Sequence, residues 1–195
     1  MSVIAVFGGT FNPFHIGHYE MLKYVCELEF IDRVFLTPDN IPPHKTCDFL
    51  ADDTDRIAMC RLIADEFDKC EVCLIEFERE GKSYTVDTVK ELKKRYPNDI
   101  FYWVIGGDML VTLDKWYNFE ELFSLVSFIA FNRADIDNFY SYLDKMRGLG
   151  AKIQLMEQSI TDVSSTQLRS DTVKELLPPR IYNYITEKGI YNDQN

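Results

Sequence analysis

The chain has 195 residues, which suits one domain of ordinary size. Apolar residues make up 46% and charged residues 27%, excluding disordered and fibrous classes, and no window approaches the roughly 18 apolar residues of a membrane span. Acidic residues number 32 against 21 basic ones, and the resulting net charge of −11 repels nucleic acid and anionic lipid alike. An anionic small molecule would bind only where cations are gathered at one spot.

The opening residues, Met1 to Phe7, carry no basic n-region and no cleavage site, so no signal peptide is expected. The five cysteines are an odd number. Reduced thiols and a cytoplasmic location follow as expectations. Cys70 and Cys73 form a CxxC without a second pair at zinc spacing, which favours packing thiols over a metal site. No resident metal is expected.

Hydrophobic periodicity predicts strands over Val3–Phe7, Arg33–Thr37, Val72–Phe77, Ile100–Ile105, Phe128–Asn132 and Ile153–Met156. It predicts helices over Ile16–Phe30 and over Asp53–Phe67, the second with Ile57, Cys60, Ile63 and Ala64 on one face. A third helix is capped by Thr85 and stops before Pro97, and a fourth spans Ala134–Arg147. Two more open near Ser164 and at Pro179, the last running to Lys188 before Gly189. The alternation predicts an α/β fold, a Rossmann-like open parallel sheet with helices on both faces. One domain over residues 1–195 is expected, its helical end starting at about 164. Such sheets bind ligands at the carboxyl ends of their strands. The loop Pro38–Asp52 is the longest without predicted structure, and loops of that length are often functional.

The first strand runs into Gly8-Gly9-Thr10-Phe11-Asn12-Pro13-Phe14-His15-Ile16-Gly17-His18. Two glycines after a strand allow backbone N–H groups close to a phosphate, and the following helix points its positive end there. His15 and His18 share a face of the first helical turn. Only three histidines exist in the chain; the third, His44, stands beside Lys45 after the second strand, on the same edge of the sheet. Incidental histidines and a solvated loop charge are the competing explanations. The spacing fits neither GxGxxG nor a P-loop. Near the far end stands Val163-Ser164-Ser165-Thr166-Gln167-Leu168-Arg169, in which one helical turn brings Thr166 and Arg169 together. Taken alone, it reads equally well as an ordinary Ser helix cap.

Together the two motifs resemble those of the HxGH nucleotidyltransferases, whose second signature is SSTxxR. Class I aminoacyl-tRNA synthetases share the HIGH string but are far longer and carry a KMSKS loop that is absent here. Within the superfamily, the chain is most similar to the bacterial nicotinate mononucleotide adenylyltransferases, over nearly its whole length. IPPHK, GKSYT, LKKRYPND, VIGGDM, KWY and LLPPRIYNYITEKGIY carry that likeness.

The resemblance implies that ATP lies across Gly8, Gly9, Thr10 and Phe11, with phosphates near His15, His18, Ser165, Thr166 and Arg169. It makes His18, His15 and Arg169 the catalytic group, with His18 foremost. It sets Gly106 and Asp108 against the adenosine. It assigns Asn40, His44 and Lys45 to the sugar and phosphate of nicotinate mononucleotide, Thr85, Trp116 and Tyr117 to the nicotinate ring and its carboxylate, and Arg133 to a phosphate. Three positions depart from the pattern. Asn12 replaces an Asp, Gly107 replaces an Ala, and Asn132-Arg133-Ala134-Asp135 replaces a basic–Arg–Pro–Gly turn.

The implied reaction joins ATP and nicotinate mononucleotide into nicotinate adenine dinucleotide and diphosphate. Mg²⁺ is expected to travel with ATP. Sister enzymes acting on nicotinamide mononucleotide or phosphopantetheine remain alternatives, as does a non-catalytic nucleotide sensor. Neither nucleic acid nor membrane is expected as a partner, and homo-oligomerisation stays open.

Overall fold

The computed structural model describes residues 1–41, 50–132, 138–170 and 174–191. Six strands form one parallel sheet: β1 (Val3–Gly9), β2 (Arg33–Pro38), β3 (Cys70–Val72), β4 (Ile100–Gly106), β5 (Ser127–Phe131) and β6 (Ile153–Met156). Their order is β3-β2-β1-β4-β5-β6. The chain therefore winds outward from β1 in one direction and from β4 in the other. The crevice at the carboxyl ends of these two neighbours is where such a sheet accepts ligands.

Strand alternation divides the core into two layers. Ala5 and Phe7 of β1 face one side, with Val34, Leu36, Val104 and Ile129. Against them pack α1 (Ile16–Glu27), α2 (Asp53–Ala64) and α8 (Pro179–Lys188), through residues such as Leu22, Ile63 and Ile181. Ile4 and Val6 face the other side, with Phe101, Trp103, Ile105 and Phe128. There α3 (Thr85–Arg95), α5 (Phe119–Leu125) and α6 (Phe139–Gly148) supply Val89, Leu122 and Leu143. Both faces of the sheet are covered, which is why its strands read as near-continuous apolar runs.

Several expected boundaries move, each for a local reason. The third strand is Cys70–Val72, and Ile75–Glu78 is a 3-10 turn instead of its continuation. In the observed register Leu36 lies opposite Val72, so the ladder soon meets Pro38, which has no N–H to offer. The first helix ends at Glu27 because the Leu28 N–H turns back to the Val25 carbonyl. The second ends at Ala64, and tighter bonds from Glu66 to Ile63 and from Phe67 to Ala64 close its last turn. Its buried face holds Arg56, Met59, Cys60, Ile63 and Ala64, while Ile57 is only half-buried. Tyr84, not Thr85, is the cap of α3, and Thr85 is its first residue. Between β4 and β5 lie α4 (Gly107–Leu110), a 3-10 turn at Leu113–Lys115 and α5, none of which the apolar pattern located. Phe139 opens α6, and the expected start at Ala134 lies outside the described residues.

Candidate active site

A cleft opens at the β1/β4 crevice. It is built first by glycines. A Cβ on Gly8 would stand 2.7 Å from the Trp103 ring, and one on Gly9 would stand 3.1 Å from the Phe11 ring. A larger side chain at either position would fill the space over the strand end. Phe11 takes the left-handed region at φ +49, a strained choice for an aromatic residue. Its ring is held by stacking on Phe14 at 5.1 Å and by edge contact with Phe7 at 5.6 Å.

His15 caps α1 in an unusual manner. Its Nδ1 accepts from the His18 N–H at 3.3 Å, and the Nδ1 of His18 accepts from the His15 N–H at 3.4 Å. This is a capping box made of two imidazoles. The rings stack at 3.5 Å between centroids. An Nδ1 that accepts a hydrogen bond cannot carry the proton of the neutral ring, so both histidines hold it at Nε2. Phe7, Phe11 and Phe14 surround His18 with ring centroids 5.1–6.1 Å away.

The second motif is knitted to the first. Ser164 Oγ caps α7 (Ser165–Ser170) by accepting from the Gln167 N–H at 3.3 Å. Ser165 donates to the Pro13 carbonyl at 3.0 Å. Arg169 donates to the Asn12 carbonyl at 2.9 Å and to Thr166 Oγ1 at 3.0 Å. The approach is set further back by Glu20 of α1, whose carboxylate accepts from the Thr161 N–H and hydroxyl at 2.6 and 2.9 Å. Gly17 makes room for the same segment, since a Cβ there would lie 2.8 Å from the Thr161 carbonyl oxygen.

Asn12 is buried, and its Oδ1 accepts from the Ala51 N–H at 3.1 Å and the Tyr191 hydroxyl at 2.6 Å. It ties the phosphate loop to the entry of α2 and to the C-terminal segment.

Of the predicted residues, Gly8, Gly9, Thr10, Phe11, His15, His18, Gly106, Asp108, Thr85, Trp116, Tyr117, Ser165, Thr166 and Arg169 all line this one cleft. Asn40 does not. Its N–H donates to Ser83 Oγ at 3.1 Å and its Nδ2 to the Arg79 carbonyl at 3.4 Å, so it braces the wall behind the cleft. His44, Lys45 and Arg133 lie outside the described residues. Tyr117 is exposed and packs its ring against that of Tyr84 in a tilted arrangement, 4.5 Å between centroids.

Sequence reasoning missed Arg56, Asp39 and Glu76. Arg56 is fully buried and donates through Nη1 to the Thr10 carbonyl (3.0 Å), the Asp39 carbonyl (2.8 Å) and the Asp39 carboxylate (3.2 Å), and through Nη2 to Asp53 (2.5 Å). Thr10 Oγ1 donates to the same Asp39 at 2.8 Å. The signal was present: Arg56, Met59, Cys60 and Ile63 share one helical stripe, and an Arg in an apolar stripe must carry partners inside. Among the described lining residues Arg169 is the permanent cation, and Asp39, Glu76 and Asp108 line the same cleft. Arg56 offsets the charge of Asp39. Burial pushes the Glu76 carboxyl up from its ordinary range.

No described cysteine lines the cleft. Cys26 and Cys70 shift each other's thiols, Cys26 down and Cys70 up, and burial pushes the Cys60 thiol far up, away from the reactive thiolate. Among the described residues there is no cluster of three or more His, Cys, Asp or Glu that could hold a metal ion. No described helix is long and apolar enough to cross a membrane.

The architecture and the two interlocked motifs define a nucleotidyltransferase, and comparison with known proteins agrees. A family model described as Cytidylyltransferase-like matches residues 6–171. A probable nicotinate-nucleotide adenylyltransferase of Halalkalibacterium halodurans is 39% identical, over 98% of this chain and 92% of its own length. The nicotinate-nucleotide adenylyltransferase of Bacillus subtilis is 36% identical over 98% of this chain and 99% of its own. Among solved structures, a Plasmodium falciparum nicotinic acid mononucleotide adenylyltransferase complexed with NaAD superposes with a TM-score of 0.79 at 23% identity, covering 98% of both chains. The chain belongs to the cytidylyltransferase-like family and, within it, to the nicotinate-nucleotide adenylyltransferases.

Proposed function

We propose that this chain transfers the adenylyl group of MgATP to nicotinate mononucleotide, giving nicotinate adenine dinucleotide and diphosphate, as an enzyme of NAD biosynthesis acting in the cytoplasm. One observation carries the reading. The HxGH and SSTxxR residues, separated by about 150 positions, meet over one glycine-built cleft whose far wall presents Thr85, Trp116 and Tyr117.

The acceptor's phosphate is already an anion, so its oxygen attacks the α-phosphorus of ATP in line without a general base. Diphosphate leaves from the opposite side. The protein's task is positioning and charge stabilisation. The Nδ1 atoms of His15 and His18 accept from backbone N–H groups, which makes the other ring nitrogen, Nε2, the proposed donor to phosphate oxygens. Arg169, braced on the Asn12 carbonyl, adds a permanent charge. Gly8 to Phe11 bring backbone close to the phosphates. Gly106 and Asp108 sit where the adenosine would lie, and Asp108 suits ribose hydroxyls. Trp116 offers a face for a pyridinium ring, and the start of α3 at Thr85 offers N–H groups to a carboxylate. Asn40 acts by bracing Ser83, while His44, Lys45 and Arg133 are proposed as contacts to the mononucleotide and its phosphate. Magnesium enters as part of the MgATP substrate and screens its charge.

The test is turnover with MgATP and, in parallel, nicotinate mononucleotide, nicotinamide mononucleotide and phosphopantetheine, with products read by mass. Preferential formation of nicotinate adenine dinucleotide is expected. Equal use of both pyridine nucleotides would undo the ring-pocket assignment, and no product with any acceptor would point to a nucleotide sensor.

A further inference from the structure

The last described turn of the chain reaches back to its first motif. α8 lies on α2, fixed by bonds from Tyr184 to Asp55 at 2.7 Å and from Arg180 to the Leu62 carbonyl at 2.7 Å. Gly189 ends α8 in the left-handed region, and the Ile190 N–H returns to the Ile185 carbonyl at 3.1 Å, which turns the chain back toward the core. Tyr191 follows at φ +71, a conformation that residues other than glycine seldom adopt. It is 6% exposed and joins the same core layer as Leu22, Ile63 and Ile181. Its hydroxyl donates to Asn12 Oδ1 at 2.6 Å, a bond that spans 179 positions.

A buried tyrosine must find a partner for its hydroxyl, and any core acceptor would satisfy it. The partner here belongs to the phosphate loop. Asn12 is buried and lines the cleft. Its Oδ1 also accepts from the Ala51 N–H at 3.1 Å, and its main-chain carbonyl accepts from Arg169 at 2.9 Å. Side chain and carbonyl belong to one residue, so holding Oδ1 holds the carbonyl on which Arg169 rests. On one side stands Phe11 at φ +49, and on the other Pro13, whose carbonyl accepts from Ser165. Two positions earlier, the Thr10 carbonyl is held by Arg56 of α2.

We propose that Tyr191 is a positioning residue for adenylyl transfer: through Asn12 it fixes the phosphate loop and the seat of Arg169. This inference rests on the transfer reading of the cleft and deepens it. Tyr191 is not among the residues that line the cleft, so it acts through its neighbour and not on substrate. Thr85, Trp116 and Tyr117 share none of these bonds, so the hold on the mononucleotide ring is independent of the Tyr191 hydroxyl. The C-terminal turn thus supports the ATP half of the site and leaves the acceptor half alone.

Rapid-quench single turnover with MgATP and nicotinate mononucleotide compares the wild type with Tyr191→Phe, Asn12→Ala and the double variant, well below their unfolding temperatures. Tyr191→Phe keeps the ring and removes only the hydroxyl. Its rate at saturating substrates should fall about tenfold, since a lost hydrogen bond and a displaced charged donor act together. Its KM for nicotinate mononucleotide should stay within about twofold of the wild type. The double variant should be no slower than Asn12→Ala, because the hydroxyl acts through Asn12. A tyrosine that merely packs would lower the urea midpoint and leave the rate of the folded protein unchanged. That result overturns the proposal, as does a double variant slowed by the product of the two single effects or an equal rise in both KM values. A second arm uses the wild type alone and stands even if Tyr191→Phe folds poorly. Hydrogen exchange at the Ala51 amide is followed with and without a non-hydrolysable MgATP analogue. It should slow at least about threefold as bound phosphates tighten the loop that carries its acceptor. An unchanged rate at saturating analogue also overturns the proposal. If the wild type forms no dinucleotide from any acceptor, the transfer reading beneath fails instead, and the exchange arm still reports the brace.

Discussion

Replacing Arg56 by Met tests how the phosphate loop is held. The change keeps an apolar stem of similar reach and removes a guanidinium with no exposure to solvent. It removes the guanidinium that donates to the Thr10 and Asp39 carbonyls and to the Asp39 carboxylate, which keeps the bond from the Thr10 hydroxyl. Asp39 is itself only 14% exposed, so its charge is left largely buried. Asp53 is 49% exposed and recovers in water, contributing little. Removing one partner of a buried pair costs about 3–5 kcal/mol. For a chain of this size each kcal/mol lowers the melting temperature by about 2–4 °C, so a fall of about 6–20 °C is expected. Thermal unfolding followed by circular dichroism, with urea unfolding alongside, measures it. The double variant Arg56→Met/Asp39→Asn should recover part of the loss, because the stranded charge is gone. A fall below about 3 °C, or a double variant as unstable as additivity predicts, would refute the reasoning.

Four further outcomes are expected. His18→Ala should lower kcat by roughly 10²–10³ while the KM for ATP changes only a few-fold, since the lost Nε2–H donor acts on charge that develops during transfer. Steady-state kinetics decide this, and near-normal turnover would remove His18 from the reaction. Trp116→Ala should raise the KM for the mononucleotide by about tenfold, as stacking on an aromatic ring is worth about 1–3 kcal/mol, and leave that for ATP unchanged. An equal rise for both would make Trp116 a packing residue. Gly17→Ala should reduce kcat/KM by about 10² because its Cβ would stand 2.8 Å from the Thr161 carbonyl and push the two motifs apart. Finally, the raised Glu76 carboxyl binds its proton more tightly in the fold than in the unfolded chain. Its stabilising contribution is thus complete below the ordinary glutamate value of 4.5 and is lost as pH rises through the raised folded value. Stability of Glu76→Gln, measured by urea unfolding, should therefore depend less on pH above 4.5 than that of the wild type.

Much of the site was legible because its chemistry is local. Gly8-Gly9 after a strand, two histidines one helical turn apart and a Ser-Thr-Arg helix start each carry their meaning within a few residues. Their meeting was expected only because two motifs of one family stood in one chain. Segments between β4 and β5 were not legible, because α4 and α5 are too short for an apolar period to emerge. The third strand was overextended because Leu74 to Phe77 are apolar enough for a strand, while the end of its ladder is set by Pro38 on another strand.

By itself the sequence determined the α/β order, the two-sided core and the residue types that handle phosphate, since these follow from periodicity and side-chain chemistry. Tertiary structure alone decided how charge is managed in a protein of net charge −11. It put Arg56 against Asp39 across 17 positions and Arg169 against the Asn12 carbonyl across 157. It fixed the proton positions on His15 and His18 through their mutual backbone bonds. The energy of a charge or a proton depends on what surrounds it at a few ångströms. Those neighbours come from distant parts of the chain and exist only once it has folded.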